Sequence, residues 1–399
     1  MKLKKGRYRY NGFCKNWKLV KLGNIVEINP KSLLPRKFKY VDLESVVGTK
    51  LIYYREEIRE SAPSRAQRVA KKGDVFYQMV RPYQKNNFLF DINESDFVFS
   101  TGYAQLRPQC DSAFLLARLQ EEGFINKVLE RSTGTSYPSI NSKDLSRISL
   151  TIPQDIEEQS AIGSLFRTLD DLLDSYKDNL ANYQSLKATM LSKMFPKAGQ
   201  TVPEIRLDGF EGEWELLEIN DLADDFQSGG TPKTNVQEYW DGDIPWIQSS
   251  DLETNCLFEI KVQKSISEKG LKNSSAKIIP KDSIAVVTRV GVGKLAVMRH
   301  EYATSQDFLS LSNLKSNIEF TAYLLYRLLQ KVVTQLQGTS IKGITKVELL
   351  SKKVLIPSFS EQQAIGAYFS NLDNLITAHQ EKISQLETLK KKLLQDMFI

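Results

Sequence analysis

Few residues in this 399-residue chain are arranged for covalent chemistry. Of its two histidines, His300 ends a strand-like run with no partner nearby in sequence, and His379 sits in a helical apolar seam. The spacing therefore gives no support to a Ser-His-Asp set or other acid–base pair. Val290-Gly291-Val292-Gly293-Lys294 has the glycines and lysine of a phosphate loop. Thr288, however, stands where that loop needs its first glycine, and Leu295 stands where a Ser or Thr would hold magnesium. Asp243 with Glu259 and Lys261 has the residue types of a metal-dependent nuclease, two carboxylates for a divalent ion beside a lysine. The three cysteines, Cys14, Cys110 and Cys256, are odd in number and far apart, a pattern that indicates neither a disulfide framework nor a zinc knuckle. No Asp/Asn-Pro-Pro-Tyr/Phe loop, which amino-methyltransferases close around a target base, occurs.

Residues suited to holding nucleic acid are better represented. In the second half, Gly229 and Gly230 would let backbone approach a ligand, Thr231 follows, and Lys233 adds a cation for phosphate. Arg289 and Lys294 bracket Gly291 and Gly293 in a turn between strand-like runs, the size of a loop that enters a groove. Ser305 and Gln306 supply short polar side chains that can reach base edges, and Lys342 lies in a further loop. The first half carries Gln78, Arg81, Tyr83, Lys85, Asn86 and Asn87 in and after a strand-like run, then Thr101, then Tyr137 and Ser139. Arg, Gln and Asn are the side chains that pair bidentately with guanine and adenine. Each of these stretches read alone is also compatible with an ordinary surface turn.

The charge distribution agrees with a polyanionic partner. Net charge is +6, but the first 155 residues hold 27 Lys+Arg against 16 Asp+Glu, and the rest 27 against 32. Eight basic residues precede the first acidic one, Glu27. Met1–Lys5 runs into Arg7 and Arg9 with no apolar stretch behind it, and no apolar run approaches the ~18 residues of a membrane span, so the expected location is the cytoplasm.

The elements that must position these residues occur twice. Trp17-Lys18-Leu19-Val20-Lys21-Leu22 is answered by Trp214-Glu215-Leu216-Leu217-Glu218-Ile219, Gly134-Thr135-Ser136 by Gly338-Thr339-Ser340, and Ile152-Pro153 by Ile356-Pro357. Residues 158–195 align without gaps to 361–398, with 14 of 38 pairs identical. Between these stretches the halves diverge, and Glu56–Ser95 has no evident counterpart. Each tail predicts a long helix opened by a capping box, Asp155 with Glu158 and Ser358 with Glu361. Ile162, Phe166, Leu169, Leu173, Tyr176, Leu180 and Tyr183 form a heptad seam, matched by Ile365, Phe369, Leu372, Ile376, His379, Ile383 and Leu386. Lys187 and Lys390 interrupt the seams at matching places. A helix cannot bury such a stripe alone. The expected architecture is α+β: two pseudo-symmetric mixed α/β domains separated by two long helices packed as an antiparallel coiled coil. The alternative is two independent helices, each on its own domain. Expected boundaries are 1–154 and 198–357 for the domains (the second including a linker) and 155–197 and 358–399 for the helices. Leu165, Leu172 and Leu186, with Tyr368, Leu375 and Leu389, widen the apolar faces beyond what a two-helix seam needs and suggest a partner-docking face.

These features together resemble the specificity subunits of type I restriction-modification systems. The resemblance rests on Ile-Pro followed by Glu-Gln-x-Ala-Ile-Gly and Leu-Asp-x-Leu at 152–173 and 356–376, on Phe210-Glu211-Gly212-Glu213-Trp214, and on the Gly-Gly-Thr-Pro and Ile-Pro-Trp segments. It implies a non-catalytic subunit with two target-recognition domains, each reading half of a bipartite double-stranded DNA target. It also implies two methyltransferase subunits and, in a full enzyme, two motor-nuclease subunits as partners. S-adenosylmethionine, ATP and magnesium would belong to those partners, with no cofactor or metal in this chain. The first half lacks the Gly-Gly-Thr-Pro and Ile-Pro-Trp segments, which leaves its contact residues less defined. Two other classes stay open from residues alone: a stand-alone magnesium-dependent nuclease, and a coiled-coil scaffold with two protein-binding domains.

Overall fold

A computed structural model describes residues 12–336 and 343–398. The repeated motifs at the start and end of each half meet in space. Lys18–Lys21 (β1) pairs antiparallel with Ser149–Ile152, with Lys18 opposite Ile152. In the second half Glu215–Glu218 pairs antiparallel with Lys353–Ile356, with Glu215 opposite Ile356. These four-residue strands close each domain where the chain enters and leaves it.

Between those closures the two domains share a topology that their sequences hide. In the first, Val26–Ile28 (β2), Lys37–Val41 (β3), Arg55–Ile58 (β4), Ala66–Val69 (β5), Val75–Gln78 (β6), Phe88–Leu89 (β7), Phe97–Ser100 (β8) and Tyr103–Pro108 (β9) make two sheets, ordered β2-β9-β6-β7 and β4-β3-β8-β5. Ser149–Ile152 is β10 and Glu215–Glu218 is β11. In the second domain, Ala223–Ser228 (β12), Trp240–Ile247 (β13), Lys264–Ile266 (β14), Ser283–Val287 (β15), Leu295–Met298 (β16), Ala303–Thr304 (β17) and Phe308–Leu314 (β18) make sheets ordered β12-β18-β15-β16 and β14-β13-β17. Among the described residues the one parallel pair of each domain, β3 with β8 and β13 with β17, falls at the same place in that order. Glu56–Ser95, which finds no match by sequence, thus forms the same framework as its counterpart, with different residues in the core. A stacked aromatic cluster of Phe76, Phe88, Phe90, Phe99 and Tyr103 fills the first domain. Ile247, Ala285, Val287, Met298, Tyr302 and Phe308 fill the space in the second.

The two long helices are Ile156–Lys193 and Phe359–Met397. The shared Glu-Gln-x-Ala-Ile-Gly motif is what seats them. The Gln159 amide donates to Pro153 O (2.9 Å) and accepts from the Asp111 N–H (3.1 Å). Gln362 repeats both bonds with Pro357 O and the Asn317 N–H (2.9 Å each). A Cβ on Gly163 would lie 2.6 Å from Phe114 N, and one on Gly366 would lie 3.0 Å from Phe320 N, so each glycine admits the start of a neighbouring helix. The residues of the expected capping boxes also make longer-range bonds. Asp155 pairs with Lys15, Glu158 accepts from the Trp17 indole (3.0 Å), and Glu361 holds Arg206 bidentately (2.8 Å each). The Ser358 hydroxyl retains one cap bond, from the Glu361 N–H (3.4 Å). The linker is also tied down, since Glu204 bridges Lys193 and Lys197. Hydrogen bonds from Lys197 and Lys193 hold its carboxyl down at about 2.

Compact units form from 1–178 with 380–399, and from 179–379, so they do not break at the ends of the helices as the expected boundaries do. The physical reason is that each helix buries its two halves on different cores. In the first unit, Ile162, Phe166, Leu169 and Leu173 pack with Leu386, Met397 and Phe398. In the second, Ile365, Phe369 and Leu372 pack with Leu191, Met194 and Phe195. The direction is antiparallel within each unit. Asp170 meets Lys390 while Lys177 meets Glu387 (2.7 Å), and Lys187 meets Asp373. The seam-breaking lysines are therefore paired with the aspartates of the two Leu-Asp-x-Leu segments. His379 packs edge-on against Tyr183 (5.1 Å) and bonds to Leu375 O (2.8 Å), a structural role within the seam. Among the described residues no helix is long and apolar enough to cross a membrane.

Candidate nucleic-acid interface

Three loops converge beside the end of β6 in the first unit. The Met79 N–H donates to Gly102 O (2.9 Å), in the turn between β8 and β9, and Met79 O accepts from the Ile140 N–H (3.1 Å). Ile140 follows the repeated Gly-Thr-Ser loop. The second unit builds the same junction beyond β15: the Thr288 N–H donates to Asp307 O (2.7 Å) and Thr288 O accepts from the Ile344 N–H (2.8 Å). An arginine follows each junction, Arg81 in the first unit and Arg289 in the second. Arg81 lies two residues beyond Met79 and Arg289 one beyond Thr288, so the two arginines attend equivalent junctions one position out of register.

Around Arg81 the candidates divide into those that hold the loop and those that face outwards. Gln78 and Asn87 are buried. The Asn87 side chain accepts from the Gln78 N–H (2.8 Å), while the Gln78 amide donates to Gln84 (2.9 Å) and accepts from the Asn86 N–H (3.2 Å). Gln78 and Asn87, expected to face a base, are buried and shape the loop through these bonds, while Asn87 Nδ2 has no hydrogen-bond partner among the described residues. The Asn86 side chain accepts from the Gly48 N–H (2.9 Å), Lys85 is paired with Glu122 (2.6 Å), the Thr101 N–H donates to Arg65 O (2.8 Å), and Ser139 closes its own loop through two 2.9 Å backbone bonds with Thr133. Tyr83 and Tyr137 remain exposed, and the Arg81 guanidinium lies 4.3 Å from the Tyr137 ring centroid.

In the second unit, Gly229 and Gly230 serve the protein's own packing. A Cβ on Gly229 would stand 2.0 Å from Thr304 Oγ1, and one on Gly230 would stand 2.1 Å from Ser275 Oγ. The close approach expected for a ligand is already occupied by the chain itself. Thr231 and Gln306 are joined by a 2.6 Å bond, and the Gly230 N–H donates to Thr304 O (2.8 Å), which places the Gly-Gly-Thr-Pro turn beside Ser305. Ser305 is buried and Gln306 is exposed. Gly291 and Gly293 both have positive φ (93° and 105°), which the turn after Arg289 requires. Lys294 donates to Ser249 O (3.1 Å), whereas Arg289 and Lys233 are exposed. Lys342 lies outside the described residues.

The structure adds two cations that sequence reading missed. Arg68 on β5 is half-buried, its Nε has no hydrogen-bond partner among the described residues, and burial pushes its pKa down. Lys264 on β14 stands over Trp240 and Trp246, 5.8 and 5.9 Å from their ring centroids. Both depend on cross-strand neighbours distant in sequence, so no local pattern announces them.

On the long helices, Leu172, Leu186, Leu375 and Leu389 are exposed. Leu165 and Tyr368, expected on the same docking face, pack instead against the cores of their own units. Among the described residues no group of three or more His, Cys, Asp or Glu side chains could hold a metal ion, and Asp243, Glu259 and Lys261 stand exposed.

The profile of the type I restriction modification DNA specificity domain matches residues 14–182 and again 211–388. The chain belongs to the type I restriction modification DNA specificity family. Among relatives, it is 29% identical over 194 residues to the type I restriction enzyme MjaIX specificity subunit of Methanocaldococcus jannaschii, covering 47% of this chain and 44% of that protein. It is 23% identical over 354 residues to the HindI specificity subunit of Haemophilus influenzae, covering 72% of this chain and 74% of the relative. The match thus spans under half the length of one relative and about three quarters of the other. Among solved structures, the S subunit of a type I restriction-modification system from M. genitalium superposes with a TM-score of 0.65 at 15% identity, covering 99% of both chains. A chain from a study of type I restriction-modification complex assembly gives 0.55 at 21%, covering 98% of this chain and 99% of its own. At these identities the structures support the fold, including the pair of domains and long helices.

Proposed function

We propose that this chain is the specificity subunit of a type I restriction-modification complex, that each unit reads one half of a bipartite DNA target, and that the long helices carry the methyltransferase subunits. The observation that carries the reading is the duplicated junction, in which three loops are stitched by equivalent backbone bonds and followed by Arg81 or Arg289. A nuclease or enzyme would need one reactive centre. A reader of two separate half-sites needs the same frame twice with different side chains on it, which is how this chain is built. Relatives with the same duplicated family domain are named specificity subunits, which supports the assignment. In this reading the chain itself performs no bond-making step. S-adenosylmethionine, ATP and magnesium reside in the methyltransferase and motor-nuclease partners.

Affinity should come largely from Lys and Arg on phosphates, so binding of the complex to any duplex should weaken steeply between 50 and 200 mM salt, by about 10³-fold or more if six or so phosphates are neutralised. Specificity should reside in the loops. Arg289→Ala should lower discrimination at one half-site by about 10-fold, within the range for a lost bidentate base contact, and leave the other half-site unchanged. The measurement is methylation mapping followed by competition binding on single-base variants of the mapped site. Equal loss at both half-sites would show that the units do not divide the target between them.

A second expectation concerns assembly. Leu172 and Leu375 are solvent-exposed equivalents on the two helices. Because Leu172→Asp and Leu375→Asp alter exposed positions, each should change melting by no more than about 0.5 kcal/mol. Their combination should weaken methyltransferase binding at least tenfold, as loss of a buried apolar anchor would. Light scattering of the purified complex would reveal the stoichiometry. Saturation at one methyltransferase per unmodified chain would contradict a docking face in each half.

A further inference from the structure

The connection between β6 and β7 is unusual in holding two non-glycine residues in the left-handed region, Arg81 (φ 53°) and Lys85 (φ 58°). Such residues are uncommon, and glycine would adopt either conformation without steric cost. The loop nonetheless keeps a long cation at each of its two bends, both half-buried. The surroundings fix that bend from several sides. The Arg81 N–H donates to Pro138 O (2.8 Å), and Arg81 O accepts from the Gln84 N–H (3.0 Å), closing the short turn Pro82–Gln84. Val80 bridges to Ser139, and Ser139 bridges to Thr133, so the loop bearing Tyr137 is fastened along its length to the loop bearing Arg81. Gly134 (φ 91°) passes so close to Tyr137 O that a Cβ there would stand 2.9 Å from it.

The outcome is a guanidinium laid over a phenol ring, 4.3 Å from its centroid, with the ring itself 62% exposed. Other cations of the first unit have a carboxylate close by: Lys85 has Glu122, Arg107 has the buried Asp74, and Arg118 has Glu121. Arg81 has a ring in place of an anion. The contact restrains the guanidinium, and among the described residues no hydrogen bond or ion pair takes up its N–H donors. A planar fork with a free edge is the shape that pairs with O6 and N7 of guanine in the major groove. A phosphate clamp has no need of a fixed plane, and a packing arginine has no need of a free edge.

We propose that Arg81 reads a guanine in the first half-site and that Tyr137 is its positioning residue. The inference rests on the reading of this chain as a DNA specificity subunit and adds the base and the residues that select it.

The test uses the complete chain with its methyltransferase partners. Mapped methylation first gives the first half-site. Each guanine of that half-site is then replaced singly by 7-deazaguanine, which removes N7 and preserves Watson–Crick pairing. One position should lose about 10-fold in binding to the wild-type complex and show no loss with Arg81→Ala, since the partner of N7 is already gone. Arg81→Gly should leave melting unchanged or raise it, because glycine relieves the left-handed backbone, and yet it should abolish discrimination at that position. Tyr137→Ala should reduce the 7-deazaguanine effect severalfold at unchanged nonspecific affinity, and Tyr137→Phe should restore it. Three outcomes would overturn the proposal: a half-site without guanine, a 7-deazaguanine effect that persists in Arg81→Ala, or an Arg81→Gly chain that melts early and discriminates normally. A wild-type complex that binds all duplexes alike would instead overturn the underlying reading as well, so failure of the inference and failure of the reading give different results.

Discussion

Truncation after Asp396 should unfold the first unit and spare the second. Met397 and Phe398 lie at the extreme end of the second helix, yet both are 4% exposed and belong to the core of the first unit. The Phe398 ring stacks on Phe166 (5.9 Å), meets Trp17 and Phe114 (6.0 and 5.9 Å), and is covered by the Arg118 guanidinium (5.2 Å). Removing a buried Phe costs about 3–5 kcal/mol and a buried Met about 2–5, against a total of about 5–15 for a typical domain. Calorimetry should show one transition lost or moved far down and the other in place. Phe195→Ala provides the reciprocal experiment, because Phe195 fills the equivalent socket of Trp214, Phe320 and Phe369 in the second unit. A truncated chain with both transitions unchanged would mean that the terminal side chains do not complete the core.

Lys390→Met should destabilise the first unit by about 2–3 kcal/mol at neutral pH, somewhat under the range for a fully buried pair because both side chains keep about a quarter of their exposure. The effect should fade on acidification. Burial holds the Asp170 carboxyl above the usual carboxylate range even with Lys390 beside it. Without the lysine, the folded-state pKa rises further above the unfolded one. The unfolded chain then ionises first as pH rises, so the penalty is absent below about pH 4 and grows as pH climbs through the folded value. Lys187→Met should cost less, because Asp373 still accepts from the Tyr323 hydroxyl (2.7 Å). Adding Asp170→Leu to Lys390→Met should recover most of the loss, as replacing both partners leaves no uncompensated charge. Thermal melts from pH 4 to 8 would check both signs, and a pH-independent loss would show that Asp170 is not the group left exposed to the penalty.

What the sequence disclosed and what it concealed have physical causes. The helical seams were legible because each apolar residue has its neighbours three and four positions away. The Lys187 and Lys390 interruptions were legible as breaks, but their aspartate partners lie on the other helix and gave no local sign. The two-sheet framework of the first domain was not legible in Glu56–Ser95. Its strands are two to six residues long, and the core is filled mainly by Phe rings and Tyr103 where the second domain uses mainly Ile, Val, Ala and Met beside Tyr302 and Phe308. Among candidate contacts, Arg81 and Arg289 were named from residue type alone. At Gln78, Asn87, Gly229 and Gly230 residue type alone does not decide the use: the same amide or bare backbone that suits a ligand also suits the protein's own chain, which is how these four are packed.

The exchange of helix ends also reverses the order in which the protein can mature. The second unit is a continuous stretch, 179–379, whereas the first needs residues 380–399 to close a core begun at Trp17. At roughly 5–20 residues per second of synthesis, the roughly 200 residues between the two parts of the first unit take about 10–40 s to emerge, far longer than helix formation or collapse. Throughout that interval the socket of Trp17, Phe114 and Phe166 stands open on the nascent chain. The domain made first is thus completed last, and a chain that ends between His379 and Asp396 has as its finished half the one encoded later.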